Sequence, residues 1–194
     1  MENYIVQQFE SSLKLKQSVI QDRTMIGQLG EIARSIITVY NNGGKVLLAG
    51  NGGSAADAQH IAGELVSRFY FNRPGLAAVA LTTDSSIVTA IANDYGYDYV
   101  FKRQLEALAT KNDLFIGIST SGNSPNIVRA LEFCRENHIT SVGLTGESGG
   151  KMLDLCDWCI CVPSSETPRI QEVHITIGHA ICAVVEEQLF GKGF

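Results

Sequence analysis

The sequence predicts an α/β fold in which five parallel strands form one sheet with helices on both sides, preceded by two N-terminal helices. Five short apolar runs recur along the chain, and stretches with helical spacing separate them. The runs are continuously apolar, which is typical of strands buried on both faces of a parallel sheet. Strands that alternate with helices indicate βαβ units. A chain of 194 residues suits a single domain.

Each element follows from its own pattern. Residues 3–22 and 25–41 are predicted as helices, because apolar residues such as Ile5, Phe9 and Leu13 recur at roughly helical spacing. The run NNGG at 41–44 is a stop signal. The predicted strands cover residues 45–50, 76–81, 114–119, 139–145 and 158–162. A last helix is predicted at about 169–190, and its apolar second half is typical of a core or subunit-packing helix.

Charge and hydropathy exclude two classes of protein. The formal net charge of -5 argues against a nucleic-acid-binding protein that relies on a general basic surface. The sequence holds no apolar run near the roughly 20 residues that span a bilayer, so no membrane segment is expected. The first 20 residues carry charge throughout and predict no signal peptide, so the expected compartment is the cytoplasm.

The five cysteines do not form a recognisable disulfide framework, since their number is odd and no secretory signal is predicted. Cys156 and Cys159 form a C-x-x-C, but Cys159 and Cys161 lie in a predicted buried strand and no second C-x-x-C would complete a zinc site. Small buried apolar side chains are the favoured interpretation over a metal or redox role.

The loops that follow the five predicted strands are rich in Ser, Thr and Gly. They cover residues 51–54, 82–86, 120–124, 146–150 and 164–167. In an open parallel sheet these loops share the carboxyl edge, where ligands bind. Hydroxyl groups and glycines there favour hydrogen bonding to an oxyanion, although turns in general are rich in the same residues. Five such loops on one edge predict a ligand site.

The run STSGNS at 119–124 is the strongest candidate phosphate loop. It leaves a predicted strand and precedes a predicted helix, with Ser124 suited to the N-cap and Pro125 to the first turn. Helix N-termini attract anions through free N–H groups and the helix dipole. The run is no Walker loop, because G-K-[ST] is missing. An ordinary Ser-capped turn is the alternative.

The run GNGGSA at 50–55 also satisfies the dinucleotide-binding pattern G-x-G-x-x-A between a strand and a helix. That pattern needs an acidic residue about 20 positions later. Residues 71–75 contain no carboxylate, and Asp84 is too distant in sequence. A nicotinamide or flavin cofactor is therefore disfavoured.

Two predicted helices carry candidate catalytic side chains. His60 and Glu64 are four residues apart and so share one helical face, where they could bind a metal or transfer a proton. The alternative is an exposed polar pair. On the last helix, His179 lies in an apolar stretch and is either a hydrogen-bonded core histidine or a functional one.

The combined pattern resembles the phosphoheptose isomerases, also called sedoheptulose 7-phosphate isomerases, which belong to the sugar-isomerase (SIS) fold group. The resemblance covers nearly the whole chain and rests on NGGSAADAQH at 51–60, Glu64, AND at 92–94, STSGNS at 119–124 and RIQEVH at 169–174. It implies that residues 1–194 form one SIS domain, a flavodoxin-like three-layer sandwich. Residues 1–42 would pack on this domain and on neighbouring subunits.

The resemblance also implies an activity and a site. The family interconverts sedoheptulose 7-phosphate and D-glycero-D-manno-heptose 7-phosphate on the way to bacterial surface polysaccharide, typically as cytoplasmic homotetramers with sites between subunits. Glu64 and His179 would be the acid–base pair. One Zn²⁺ per subunit would be bound by His60, Glu64, Gln171 and His179. The phosphate would be bound by Ser119, Thr120, Ser121 and Ser124. The other substrate contacts would be Asn51, Gly52, Gly53, Ser54, Glu64, Asn93, Asp94 and Gln171, with Arg68, one turn beyond Glu64, as a further anion ligand.

These residue types suit the reaction. Ketose–aldose isomerisation moves a proton between adjacent carbons through an enediol, so it needs a base and a group that stabilises or protonates the developing oxyanion. A metal can polarise the carbonyl. Phosphate binding at the remote end orients the reacting end.

Two non-enzymatic classes share the fold group. One relative binds the replication initiator protein, and it lacks the counterparts of Glu64 and His179, so the presence of both here favours the enzyme. The other class comprises regulatory domains that sense sugar phosphates. These are usually attached to a further domain, for which 194 residues leave no room.

Overall fold

The computed structural model describes residues 1–191 and contains a five-stranded sheet with helices on both faces. The strands are β1 (Val46–Gly50), β2 (Ala78–Ala80), β3 (Leu114–Ile118), β4 (Thr140–Thr145) and β5 (Trp158–Cys161). The helices are α1 (Glu2–Gln21), α2 (Arg23–Asn41), α3 (Gly53–Val66), α4 (Ser85–Tyr95), α5 (Val100–Leu108), α6 (Pro125–Glu136) and α7 (Thr167–Phe190). Short 3-10 helices cover Tyr97–Tyr99 and Gly150–Met152.

All strands are parallel, and their order in the sheet is β2-β1-β3-β4-β5. This is the flavodoxin-like order, so the predicted fold is confirmed. The chain reverses its direction of winding between β1 and β3, which opens a crevice at the carboxyl edge. The loops of residues 51–54 and 119–124 follow these two strands and therefore border the crevice.

Alternate residues of each central strand face two different apolar cores. Val46 and Leu48 of β1 pack in the core covered by α2, α3 and α7. Leu47 and Ala49 pack in the core covered by α5 and α6. The sheet is therefore the middle of three layers, as predicted. The buried cysteines Cys182 and Cys134 lie one in each core.

The prediction of strands buried on both faces is right for β1, β3 and β4 and wrong at the sheet edges. Every residue of β1 and β3 is buried, whereas Val79 of β2 is 39% exposed. The strand predicted at 76–81 shortens to three residues, Ala78–Ala80. β2 lies at the edge of the sheet and has a neighbouring strand on one side only. Its side chains are therefore less completely buried than those of the central strands, even though its sequence is continuously apolar.

The N-terminal helix α1 lies on the outside of the domain. It contacts α2 and α7 and buries only Val19, while Tyr4, Phe9 and Leu13 are 68%, 74% and 58% exposed. Asp22 ends α1 and caps α2, since its side chain accepts a hydrogen bond of 3.0 Å from the Met25 amide. Within residues 1–191, none of the helices combines the length and apolar character needed to cross a membrane.

Candidate active site

Helices α3 and α7 run side by side because two glycines allow a close approach. A Cβ atom on Gly53 would lie 2.6 Å from Gln171 Nε2, and one on Gly178 would lie 2.6 Å from Ile61 Cδ1. The first contact joins the starts of the two helices and the second joins them about two turns later, so the helices are parallel. This packing brings the exposed face of α3 beside the middle of α7.

Three ionisable side chains meet where the two helices touch. His60 Nε2 lies 2.8 Å from His179 Nε2 and 3.2 Å from Glu64 Oε1. The His60 and Glu64 side chains are 49% and 25% exposed, so solvent or substrate can reach them. At this distance the two ring nitrogens either share a hydrogen bond, with one of them protonated, or hold a cation between them. The cluster can therefore share a proton or a cation.

The donor set fits a divalent metal. The ligand atoms of His60, Glu64 and His179 all lie within 4.8 Å of one another. Two histidines and one glutamate are a known set for catalytic zinc, in which a fourth position stays open for water or substrate. Tetrahedral zinc with bonds near 2.1 Å places its ligand atoms about 3.4 Å apart. The His60–Glu64 distance of 3.2 Å is close to this value, and the His60–His179 distance of 2.8 Å is shorter. The described residues therefore contain a site that could hold a metal.

Gln171, the fourth ligand implied by the resemblance, lies at the other end of the helix contact. It precedes His179 by eight residues, which is about 12 Å along a helix axis. Its amide group packs against Gly53, in the loop that follows β1. The structure thus brings three of the four implied ligands together and places Gln171 at the glycine loop.

The serines of the 119–124 loop converge. Ser119 is buried, and its Oγ lies 2.8 Å from Ser124 Oγ and 3.4 Å from Ser121 Oγ. Ser124 and Pro125 occupy the N-cap and first turn of α6, as predicted, but the Ser124 hydroxyl bonds to Ser119 and makes no capping bond within the described residues. Gly122 is required here, because its φ is +65° and a Cβ would lie 2.1 Å from Gly149 O. Thr120 is half-buried, and its carbonyl accepts a bond from the Gly146 amide.

A pair of amides ties the two crevice loops together, and it was missed from sequence. Asn51 Nδ2 donates to Asn126 Oδ1 at 2.9 Å, and Asn126 Nδ2 donates to Asn51 Oδ1 at 2.8 Å. Tyr97 Oη also donates to Asn51 Oδ1 at 3.2 Å. Asn126 is 2% exposed. The only sequence signal for a role of Asn126 was its position: it follows Pro125 in the first turn of the helix that begins at the serine loop.

Three further residues implied by the resemblance lie on the surface. Asn93 and Asp94 are exposed near the end of α4, where Asn93 Nδ2 donates to Asp94 Oδ1 at 2.8 Å. Arg68 is also exposed. The expectation that Arg68 lies one helical turn beyond Glu64 is wrong, because α3 ends at Val66. Within residues 1–191, no recorded hydrogen bond joins these side chains to the His60–Glu64–His179 cluster.

The two histidines on α7 have different environments: His174 is a buried core residue, and His179 lies in the cluster with His60 and Glu64. His174 is fully buried, and its Nε2 donates to Thr145 O at 3.0 Å. Its Nδ1 has no partner among the described residues. Burial lowers the pKa of His174 to about 4, against a smaller upward effect of the hydrogen bond to Thr145. The neutral imidazole is therefore part of the native core.

We expect this histidine to make the protein less stable in mild acid. Because the pKa of His174 is about 4 in the folded state and near 6.5 in the unfolded chain, the unfolded chain takes up the proton first. The contribution of the neutral His174 to the free energy of unfolding is complete above pH 6.5. About 3 kcal/mol of that free energy is lost as the pH falls from 6.5 towards 4. Urea unfolding of wild type and His174→Gln at several pH values measures it. Parallel pH dependence of the two proteins would contradict the assignment.

The fold and the cluster define the chain as a sugar-isomerase domain, and comparison with known proteins agrees. A family model described as SIS domain matches residues 8–146. "Phosphoheptose isomerase 2" of Campylobacter jejuni is 61% identical over all of this chain and 96% of its own length. The phosphoheptose isomerase of Aneurinibacillus thermoaerophilus is 61% identical over all of this chain and 98% of its own length.

A solved structure gives the same result. The phosphoheptose isomerase of Neisseria gonorrhoeae superposes with a TM-score of 0.90 at 40% identity, covering 96% of this chain and 98% of that one. The chain belongs to the phosphoheptose isomerase family. The predicted family and enzyme class are therefore confirmed, and the alternative of a replication-initiator-binding protein gains no support from these relatives.

Proposed function

We propose that this chain interconverts sedoheptulose 7-phosphate and D-glycero-D-manno-heptose 7-phosphate through an enediol, with Glu64 and His179 as the acid–base pair. The proposal is supported above all by one observation: Glu64 of α3 and His179 of α7 both contact His60, although they lie on different helices. A proton transfer between adjacent carbons needs two such groups at one point. The family of the chain supports the choice of substrate.

In this proposal the two ends of the substrate are bound by different loops. Phosphate is bound by Ser119, Thr120, Ser121 and Ser124 at the start of α6. The remaining contacts are made by residues 51–54, Glu64, Asn93, Asp94 and Gln171. Three hydroxyls that already lie within hydrogen-bonding distance support the phosphate loop. Because the phosphate is remote from the reacting carbons, its binding energy can orient the sugar.

One of Glu64 and His179 removes the proton from the carbon next to the carbonyl, and the other handles the proton on oxygen. One Zn²⁺ per subunit, held by His60, Glu64 and His179, would supply a Lewis acid that polarises the carbonyl. Gln171, the implied fourth ligand, would reach the ion from its place beside Gly53. Without a metal, His60 contacts both members of the pair through its Nε2 and so holds them together. The cluster's open side, where Glu64 is 25% exposed, leaves access for the sugar.

We also propose that the chain works in the cytoplasm as a homotetramer with sites between subunits. The exposed apolar side chains of α1, among them Tyr4, Phe9 and Leu13, support burial of this helix against other copies. Asn93 and Asp94 lie outside the cluster of their own subunit. Asn93 and Asp94 would contact the substrate if they complete the site of a neighbouring subunit. Light scattering of the purified protein measures the oligomeric state.

The experiment that tests the function is turnover of sedoheptulose 7-phosphate by purified protein, before and after chelation and again after zinc is added back. Loss on chelation and recovery with zinc would support both the reaction and the metal. Turnover that is indifferent to chelation would keep the reaction and remove zinc from it. No turnover in any state would overturn the proposal, and binding to the replication initiator would then be tested.

We expect Ser124→Ala to weaken phosphate binding. The substitution removes one hydroxyl of the serine loop, and a hydrogen bond to a charged group is worth roughly 1.5–3 kcal/mol, so KM should rise about 10-fold or more. Steady-state kinetics and competitive inhibition by inorganic phosphate measure the change. Ser18→Ala is the control, because that hydroxyl is exposed on α1 and bonds only to Leu15 O. Unchanged KM and unchanged phosphate inhibition in Ser124→Ala would place the phosphate elsewhere.

A further inference from the structure

A buried ion pair lies beneath the cluster, between the segment that follows α3 and the last turns of α7. Arg73 Nε lies 2.9 Å from Glu186 Oε1, and the two side chains are only 2% and 1% exposed. Such pairs are costly to desolvate and contribute little net stability compared with apolar packing.

Arg73 binds the end of the helix that carries His60 and Glu64. Its Nη2 donates to the Glu64 carbonyl at 2.9 Å, and its Nη1 donates to the Leu65 carbonyl at 2.7 Å. The last carbonyls of a helix have no partner within the helix, and a guanidinium group can satisfy two of them at once. Arg73 thereby holds the main chain of Glu64 itself.

Glu186 binds the segment that leads away from α3. Its carboxylate accepts hydrogen bonds of 2.8 Å from the Phe69 amide and 2.6 Å from the Tyr70 amide. Phe69 in turn packs beside the cluster, with its ring centroid 5.6 Å from that of His179 and the two rings tilted by 42°. Since Glu186 follows His179 by seven residues, both lie on the same face of α7. Burial alone would raise the pKa of Glu186, but these amides and Arg73 lower it below its usual value.

We propose that Arg73 and Glu186 are positioning residues for the acid–base pair: Arg73 fixes the backbone of Glu64, and Glu186 fixes the Phe69 ring against His179. The inference rests on the proposed function, in which Glu64 and His179 do the chemistry. Neither Arg73 nor Glu186 contacts the substrate in this scheme. Their substitution should therefore lower kcat more than it changes KM, because the serine loop that holds the phosphate stays intact.

The test compares Glu186→Gln and Arg73→Lys with a matched control. Asp113→Asn alters a similar carboxylate, 1% exposed, which pairs with Lys45 Nζ at 2.7 Å and accepts from the Lys45 and Thr110 amides, so its recorded partners lie in neither α3 nor α7. We expect kcat to fall about 10- to 100-fold in the two test variants, with KM changed less than about threefold. The control should lose thermal stability and keep its kcat.

Histidine-ring NMR of the same variants gives a readout that does not need turnover. The ring signals of His179 and His60 should shift in Glu186→Gln and Arg73→Lys and stay in place in Asp113→Asn. Unchanged ring signals, or an equal loss of kcat in the control, would overturn the positioning role. If the wild-type protein does not turn over the substrate, the proposed function fails, and the ring signals alone decide the inference.

Discussion

Glu64→Gln is expected to lower kcat by about 10³-fold, because a positioned general acid or base contributes roughly 10²- to 10⁴-fold. Glutamine has nearly the same shape as glutamate and keeps one oxygen towards His60, 3.2 Å away in the native protein. It cannot accept and return a proton under these conditions. The protein should therefore fold normally and bind the sugar phosphate while proton transfer is blocked. Stopped assays of sugar conversion measure kcat. Incorporation of solvent deuterium into the substrate carbon measures the proton transfer itself.

The control for this variant is Glu136→Gln. Glu136 is exposed at the end of α6, on the other side of the sheet, and the substitution makes the same change of charge. Its kcat should equal that of the wild type. Ordinary turnover by Glu64→Gln would remove Glu64 from the acid–base pair and leave His179 to be explained alone.

His179→Gln is the second large effect we expect, a loss of about 10²- to 10³-fold in kcat. The substitution removes one ring nitrogen of the 2.8 Å contact with His60 and one partner of the proton transfer. Residues that act as a unit are not additive, so the double variant Glu64→Gln/His179→Gln should be little worse than the poorer single variant. Kinetics of the three variants and circular dichroism of each measure the outcome.

His138→Asn serves as its control. His138 is an exposed histidine between α6 and β4 with a φ of 56°, a conformation that asparagine accepts readily. Wild-type kcat is expected. If the double variant loses as much kcat as the product of the two single losses, Glu64 and His179 have independent functions and do not form one proton-transfer pair.

The fold was largely predictable because local patterns determine it. Continuous apolar runs mark the central strands, and the glycine- and serine-rich loops mark their carboxyl ends. The edges were less predictable, since nothing in the run at 76–81 states that its strand pairs on one side only. The shortness of β2 and the exposure of Val79 follow from its place in the sheet.

The site was predictable where its residues are close in sequence. His60 and Glu64 share a helix face by spacing alone, whereas His179 joins them only through the packing of α3 on α7, and the residues alone left its role open. Contacts between distant residues gave no local signal: Arg73 and Glu186 are 113 residues apart, and Asn51 and Asn126 are 75 apart. Their partners are chosen by the fold and not by any neighbouring motif.

The amide pair of Asn51 and Asn126 has a consequence for the entropy of ligand binding. Each side chain uses both its oxygen and its nitrogen on the other, and Tyr97 adds a second donor to Asn51 Oδ1. The loops after β1 and β3 are therefore ordered during folding, and their conformational entropy is lost before a ligand arrives. Association then immobilises little additional chain, so more of the contact energy remains as affinity. Asn51 contributes by holding the loop after β1 against the start of α6, so this part of the crevice needs little rearrangement when a ligand binds.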